Sequence, residues 1–248
     1  GGSDTNILVR FDVPNKRIDL VSLPRDTLLH NEYRNNKLNF AYAKGGTELL
    51  MEQIENLLGI PVDFYVTVNL KGFIALVDQI DGVDFDIPIN MDYDDPYQDL
   101  HIHFTKGPRH LNGQEAMEVV RFRHNNDGTG YGTEDIGRIG TQQAFLKAVA
   151  KQLLQIGNVK NIPALVDIFY TYVKTDLTTG NLVWLGNEAL NIGTENIHFA
   201  TLPGDGSGYY NKQSVYVLDA QATCDLVNEA LNPYNEALTL EDMDILVP

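Results

Sequence analysis

The chain has 248 residues, 43% of them hydrophobic, and a formal net charge of −16; a chain of that size buries about three-quarters of the surface its unfolded form exposes. With no basic run against that charge, a nucleic-acid surface and an electrostatic membrane anchor are excluded, and any anion site must be a local positive patch built from specific contacts. Cys224 is the only cysteine, so an intrachain disulfide, a thiolate zinc cluster and a CxxC redox pair are ruled out, and no apolar run reaches the roughly 18 residues of a spanning helix.

The chain starts abruptly at Gly1-Gly2-Ser3-Asp4, immediately before a strand, which suggests a lost amino-terminal segment. Asn6–Val13 and Ile18–Ser22 read as a hairpin around Pro14-Asn15-Lys16, and Pro24-Arg25-Asp26-Thr27 ends its second strand. Apolar residues at helical spacing predict a helix over Gly46–Leu58, stopped by Gly59. A strand at Phe64–Val68, a helix at Leu70–Ile80 and a strand at Val83–Ile87 follow. The stretch Asn90–Leu111, rich in Asp and Pro, reads as irregular. A short helix, Glu115–Val119, then feeds a strand at Val120–Arg123. Helices are predicted at Gly137–Gln155, Ile162–Tyr172, Asn181–Leu190 and Ala220–Leu231, the last with Cys224 in the core, and strands at Ile197–Leu202 and Ser214–Leu218. Strands and helices alternate, so the expected fold is α/β, a mixed sheet covered on both sides within one domain, 1–248.

The segment Val120–Gln143 gathers arginines in an otherwise acidic chain. On a strand, Arg121 and Arg123 would leave the same face, and Arg138 and Gln142 lie one helical turn apart. Guanidinium is permanently charged and matches phosphate oxygens, each charge-assisted bond being worth roughly 1.5–3 kcal/mol. The competing reading is a set of surface salt bridges. Elsewhere, His101 and His103 share a strand face and suggest a metal pair, but no third ligand stands at a supporting distance in sequence, so an ordinary exposed face is expected. Asp92, Asp94 and Asp95 lack the glycine and glutamate of an EF-hand and read as a solvated loop. Lys37 is either a phosphate contact or a surface lysine. The helices Leu70–Ile80 and Phe145–Leu154 are either a lipid-pocket lining or ordinary core, the latter being the expectation for any single residue.

An ordered series of motifs carries a resemblance: Ser3-Asp4-Thr5, SLPRDT at Ser22–Thr27, KLNFAY at Lys37–Tyr42, LVDQIDGVDFDI at Leu76–Ile87, LNGQEAMEVVRFR at Leu111–Arg123, DIGRIGTQQ at Asp135–Gln143 and LPGDG at Leu202–Gly206. In that order and spacing the chain resembles the LytR-CpsA-Psr family over essentially its whole length. The resemblance implies a three-layer α/β/α sandwich with a central mixed β-sheet. It also implies a membrane-anchored extracellular enzyme of Gram-positive bacteria, its anchor and one strand missing from this chain. Such an enzyme moves a glycopolymer, teichoic acid or capsular polysaccharide, from undecaprenyl pyrophosphate to peptidoglycan, using Mg²⁺ or Mn²⁺. Carried over by motif, Asp4 is the metal ligand, unless Asp4-Thr5 merely caps the start of the strand; Arg25, Arg121, Arg123, Arg138 and Gln142 hold phosphate; and Arg25, Arg121 and Asp135 are the catalytic set, Asp135 orienting an arginine rather than acting as a base. Asp26 holds Arg25, moves a proton, or simply makes an Asx-type turn. Gly2 and Thr141 stand where the family carries arginine, and the loop His124–Glu134 is longer than usual, either covering the site or moving freely. Two other functions stay open: a polyprenyl-pyrophosphate hydrolase, and a non-catalytic regulatory module that binds polyprenyl phosphates.

Overall fold

The computed structural model describes residues 2–132, 134–155 and 162–248, without the side chains at positions 134, 135, 154, 155, 162–165 and 168. Its internal contacts divide into two compact units, residues 1–63 with 198–248, and residues 64–197. The elements alternate as an α/β fold.

In the first unit, β1 (Asn6–Asp12) and β2 (Arg17–Leu23) form the expected antiparallel hairpin, and β9 (Ile197–Thr201) lies on the other side of β2. Past β2 the chain turns at Pro24-Arg25-Asp26-Thr27, where the Thr27 backbone N–H and hydroxyl both donate to the Pro24 carbonyl, at 3.0 and 2.6 Å. Helix α1 runs from Leu38 to Leu58, eight residues longer at its start than its periodicity predicts, with a break at Gly46, whose φ of 67° no β-carbon-bearing residue adopts readily. Gly59 caps it in the left-handed conformation, as its stop signal predicts. β10 (Gly204–Tyr210) pairs antiparallel with β11 (Gln213–Leu218), and α7 (Ala220–Ala230) follows, capped by Asp219. Val21, Leu23, Leu57, Leu58, Leu202 and Val227 are among its core residues, with Cys224 buried beside them as expected. β10 escapes prediction because its glycines and tyrosines carry no alternation of apolar and polar residues.

The second unit opens with β3 (Val66–Val68), paired antiparallel with β8 (Val173–Thr175), and α2 (Leu70–Gln79), capped by Asn69. Asn90–Leu111, expected to be irregular, is instead mostly strand. β5 (Met91–Asp95) and β6 (Leu100–Phe104) make a hairpin, and β7 (Gly107–Leu111) pairs with β4 (Val83–Ile87). In β6 every second residue is buried, Leu100, Ile102 and Phe104, while His101 and His103 face out. That period of two is the strand signal, and the turn residues on either side masked it.

The next segment corrects a second expectation. Val120–Arg123 is not a strand: α3 runs over Gly113–Arg121, and Phe122 ends it. Asn112 and Glu115 form a capping box, each side chain meeting the other's backbone N–H, at 3.0 and 3.1 Å. That box sets the helical start three residues before the apolar run, so the β-branched pair Val119-Val120 continues a helix already begun. Arg121 therefore closes a helix, half-buried, while Phe122 is fully buried and Arg123 exposed. α4 (Glu134–Gln155), α5 (Ile162–Tyr172) and α6 (Thr179–Ile192) complete the unit. Phe145 of α4 is 1% exposed, its ring 5.6 Å from that of Phe73 and 5.7 Å from that of Phe85, which is ordinary core packing. Among the described residues no helix is long and apolar enough to cross a membrane.

Candidate functional site

The expected site residues fall into two clusters, one in each unit. In the first unit, the carbonyl of Arg25 accepts from the Asn39 backbone N–H at 2.9 Å, and the Leu38 N–H donates to Thr27 at 3.0 Å, so the start of α1 fixes the turn after β2. The guanidinium of Arg25 meets Asp4 with Nη1 to Oδ1 at 2.7 Å and lies 3.8 Å, through Nε, from Asp26. Lys37 Nζ reaches the same Asp26 oxygen at 3.2 Å. Two carboxylates and two cations thus alternate in the order Asp4, Arg25, Asp26, Lys37, brought together from the chain before β1, the turn after β2 and the start of α1. Asp26 joins Lys37 to Arg25, so holding the arginine is the role its contacts favour. Lys37, which the sequence left undecided, belongs to this cluster.

Gly2, where the family carries arginine, sits so close to α1 that a β-carbon there would stand 2.9 Å from the Asn39 carbonyl oxygen. A larger side chain would have to displace that backbone.

In the second unit, Gln142 of α4 donates from Nε2 to the Val120 carbonyl at 3.1 Å, tying its face of α4 to the end of α3, the residue before Arg121. Arg138, one turn earlier on the same face, is 5% exposed. Arg121 donates from Nη2 to Gln98 Oε1 at 2.6 Å, and Nη1 lies 3.8 Å from the Met117 sulfur. Gln98 belongs to the β5–β6 turn and is itself held by the Asp95 carboxylate at 2.5 Å. Sequence reasoning missed Gln98, because its separation from Arg121 in the chain leaves no periodic signal. Arg121 and Arg123 do not present the parallel pair expected of a strand. The side chain of Asp135 lies outside the described residues.

Thr141, the second position at which an arginine is missing, is buried and accepts a bond of 2.7 Å from the Tyr131 hydroxyl while donating to the Gly137 carbonyl at 3.2 Å. A guanidinium there would have to displace this pair. The loop after Arg123 is pinned as far as it is described: Asn125 Oδ1 accepts from Asp92 N–H at 2.7 Å, Asn126 Oδ1 from Asp94 N–H at 3.0 Å, and Asn126 N–H donates to the Asp92 carbonyl at 2.8 Å. Those three bonds make it an added layer on β5.

Residues 1–232 match the LytR_cpsA_psr family. The chain belongs to that family. It is 32% identical over 231 residues to the polyisoprenyl-teichoic acid–peptidoglycan teichoic acid transferase TagV of Bacillus subtilis (strain 168), covering 90% of this chain and 57% of that protein. To the transferase TagU of Bacillus cereus it is also 32% identical over 231 residues, with 92% and 72% covered. The regulatory protein MsrR of Staphylococcus aureus is 29% identical over 204 residues, with 81% and 59% covered. The crystal structure of B. subtilis TagV superposes with a TM-score of 0.79 at 28% identity, covering 100% of this chain and 91% of that one. The α/β fold expected of the family is therefore shown, while the chain spans little more than half the length of TagV and MsrR.

Proposed function

We propose that this domain is a phosphotransferase that moves a glycopolymer, teichoic acid or a capsular polysaccharide, from undecaprenyl pyrophosphate to peptidoglycan at the outer face of a Gram-positive cell membrane. The observation that carries the reading is Arg121. Its guanidinium is positioned by an amide and a thioether, and among the described residues no carboxylate lies within ion-pair distance of it. Its charge is thus held in place and left for a phosphate. The names of the two transferases at 32% identity support the same chemistry. The half-exposed Val66, Val68 and Leu70 supply apolar surface suited to a polyprenyl chain.

In this reading a peptidoglycan hydroxyl attacks the phosphorus that carries the glycan. The new O–P bond forms as the anhydride bond breaks, and undecaprenyl phosphate leaves. Transfer of this kind needs charge neutralisation and in-line positioning more than covalent help. In the second unit Arg121 holds a phosphate oxygen, with Arg123, Arg138 and Gln142 as further phosphate contacts; in the first unit Arg25, kept in place by Asp26, offers the same chemistry. Asp4 suits a hard divalent cation, because it offers a carboxylate oxygen and is 72% exposed. Mg²⁺ or Mn²⁺ bound there would neutralise phosphate oxygens.

The test is release of polyprenyl phosphate from a glycan-linked polyprenyl pyrophosphate, with and without peptidoglycan and Mg²⁺, for the native chain and the variants Arg121→Ala and Asp4→Ala. Release that requires the acceptor, and that both substitutions abolish, is the expected result. Release with water alone would make the protein a pyrophosphatase. Tight lipid binding with no turnover would make it a non-catalytic binding module, a reading to which the relative named regulatory protein MsrR lends a regulatory role.

A further inference from the structure

We propose that the outward face of the β5–β6 hairpin is a binding site for a zinc-class divalent cation, with Asp94, His101 and His103 as ligands and Asp92 fixing the tautomer of His103. The hairpin register pairs Asp92 with His103 and Asp94 with His101. Because side chains alternate, these four leave the face opposite the buried Met91, Leu100, Ile102 and Phe104. The third ligand that His101 and His103 lack in sequence is thus supplied across the ladder by β5.

One atom of each ligand, from Asp94, His101 and His103, lies within 4.8 Å of the other two, the only such group of three among the described residues. Both imidazoles converge on a single carboxylate oxygen: Asp94 Oδ1 is 2.6 Å from His101 Nδ1 and 3.2 Å from His103 Nε2. Tetrahedral zinc with bonds near 2.0–2.2 Å needs donors roughly 3.4 Å apart. Small side-chain rotations bring the three donors there.

The surroundings match what a metal site requires beyond its ligands. Asp92 Oδ1 stands 2.8 Å from His103 Nδ1, a carboxylate–imidazole pair that keeps the proton on Nδ1 and leaves Nε2 to ligate. Asn126 Nδ2 donates to Asp94 Oδ2 at 3.2 Å, fixing the carboxylate so that Oδ1 faces the imidazoles. Two imidazoles and one carboxylate suit zinc, nickel or copper, whereas magnesium and calcium take oxygen ligands. Three protein ligands leave a fourth position, which water fills at this exposed face.

Calorimetric titration of the whole chain with zinc chloride tests the site, with magnesium chloride as the comparison. The expected result is one zinc per chain and no magnesium at the hairpin. His101→Ala, His103→Ala and Asp94→Ala should each weaken zinc binding by tenfold or more, and Asp92→Asn by roughly tenfold. His110→Ala, which removes a histidine–aspartate pair on β7 outside the cluster, should leave binding unchanged. All five positions are surface side chains, so circular dichroism should show the fold intact. Cobalt substitution adds a readout that a purely structural pair would not move: visible absorption of tetrahedral Co²⁺ in the native chain, lost in His103→Ala. Equal zinc affinity for the native chain and His103→Ala would overturn the proposal, as would a loss in His110→Ala as large as in His103→Ala.

Discussion

Arg25 and Arg121 are both arginines at the end of a regular element, yet their surroundings are opposite. Arg25 follows a strand and shares its charge with Asp4 and Asp26, while Arg121 closes a helix and touches only an amide and a thioether among the described residues. An arginine between carboxylates is oriented by charge and pays for it in free charge; one positioned by neutral groups keeps its whole charge for a ligand. Two arginines that motif order alone treats alike therefore differ in what each offers a phosphate.

The comparison breaks most visibly in turnover. Arg121→Ala should lower the rate of transfer about 10²–10³-fold, the cost of losing one preorganised donor to developing charge. Arg25→Ala should lower it roughly 10–100-fold, the worth of one charge-assisted bond. Rates measured at saturating lipid decide between them, and a larger loss at Arg25 would sink the distinction. Arg121 also depends on α3 being a helix. Asn112→Ala removes half of the capping box and should cost about 1 kcal/mol in denaturant unfolding; an unchanged midpoint would mean the box does not set the start of α3. The smallest effect concerns a charge pair away from both arginines. His110 Nδ1 lies 2.7 Å from Asp84 Oδ1, and that hydrogen bond holds its pKa above the ordinary 6.5. A raised folded value means the pair stabilises fully below pH 6.5 and is lost as pH rises through the raised value. Proton NMR of the His110 ring should show the raised midpoint, and Asp84→Asn should return it toward 6.5.

Much of the fold is legible along the chain. The β1–β2 hairpin, β4 and α5 fall where alternation and helical spacing put them, and in β4 the buried Val83, Phe85 and Ile87 alternate with exposed Asp84 and Asp86, so the pattern records the buried face. Asn90–Leu111 was not legible: its strands are short, its turns are rich in Asp and Pro, and Pro108 sits in β7 itself, so composition outweighed the period of two. The capping signal at Asn112 and Glu115 was present in the sequence, but the strand-like run Val120–Arg123 hid that the helix continues to Arg121. In the candidate site, the residue types and their order were legible, since arginine clusters stand out in an acidic chain.

Partnership was not. That Lys37 shares Asp26 with Arg25, that Gln98 holds Arg121, and that Asp94 faces both His101 and His103 are long-range or cross-strand pairings. The sequence by itself determined the family, the α/β class and which residue types carry charge in the motifs, because those depend on local pattern. Only the tertiary structure decided which carboxylates neutralise which cations and which imidazoles converge, because side chains distant along the chain meet only once helices and strands have packed.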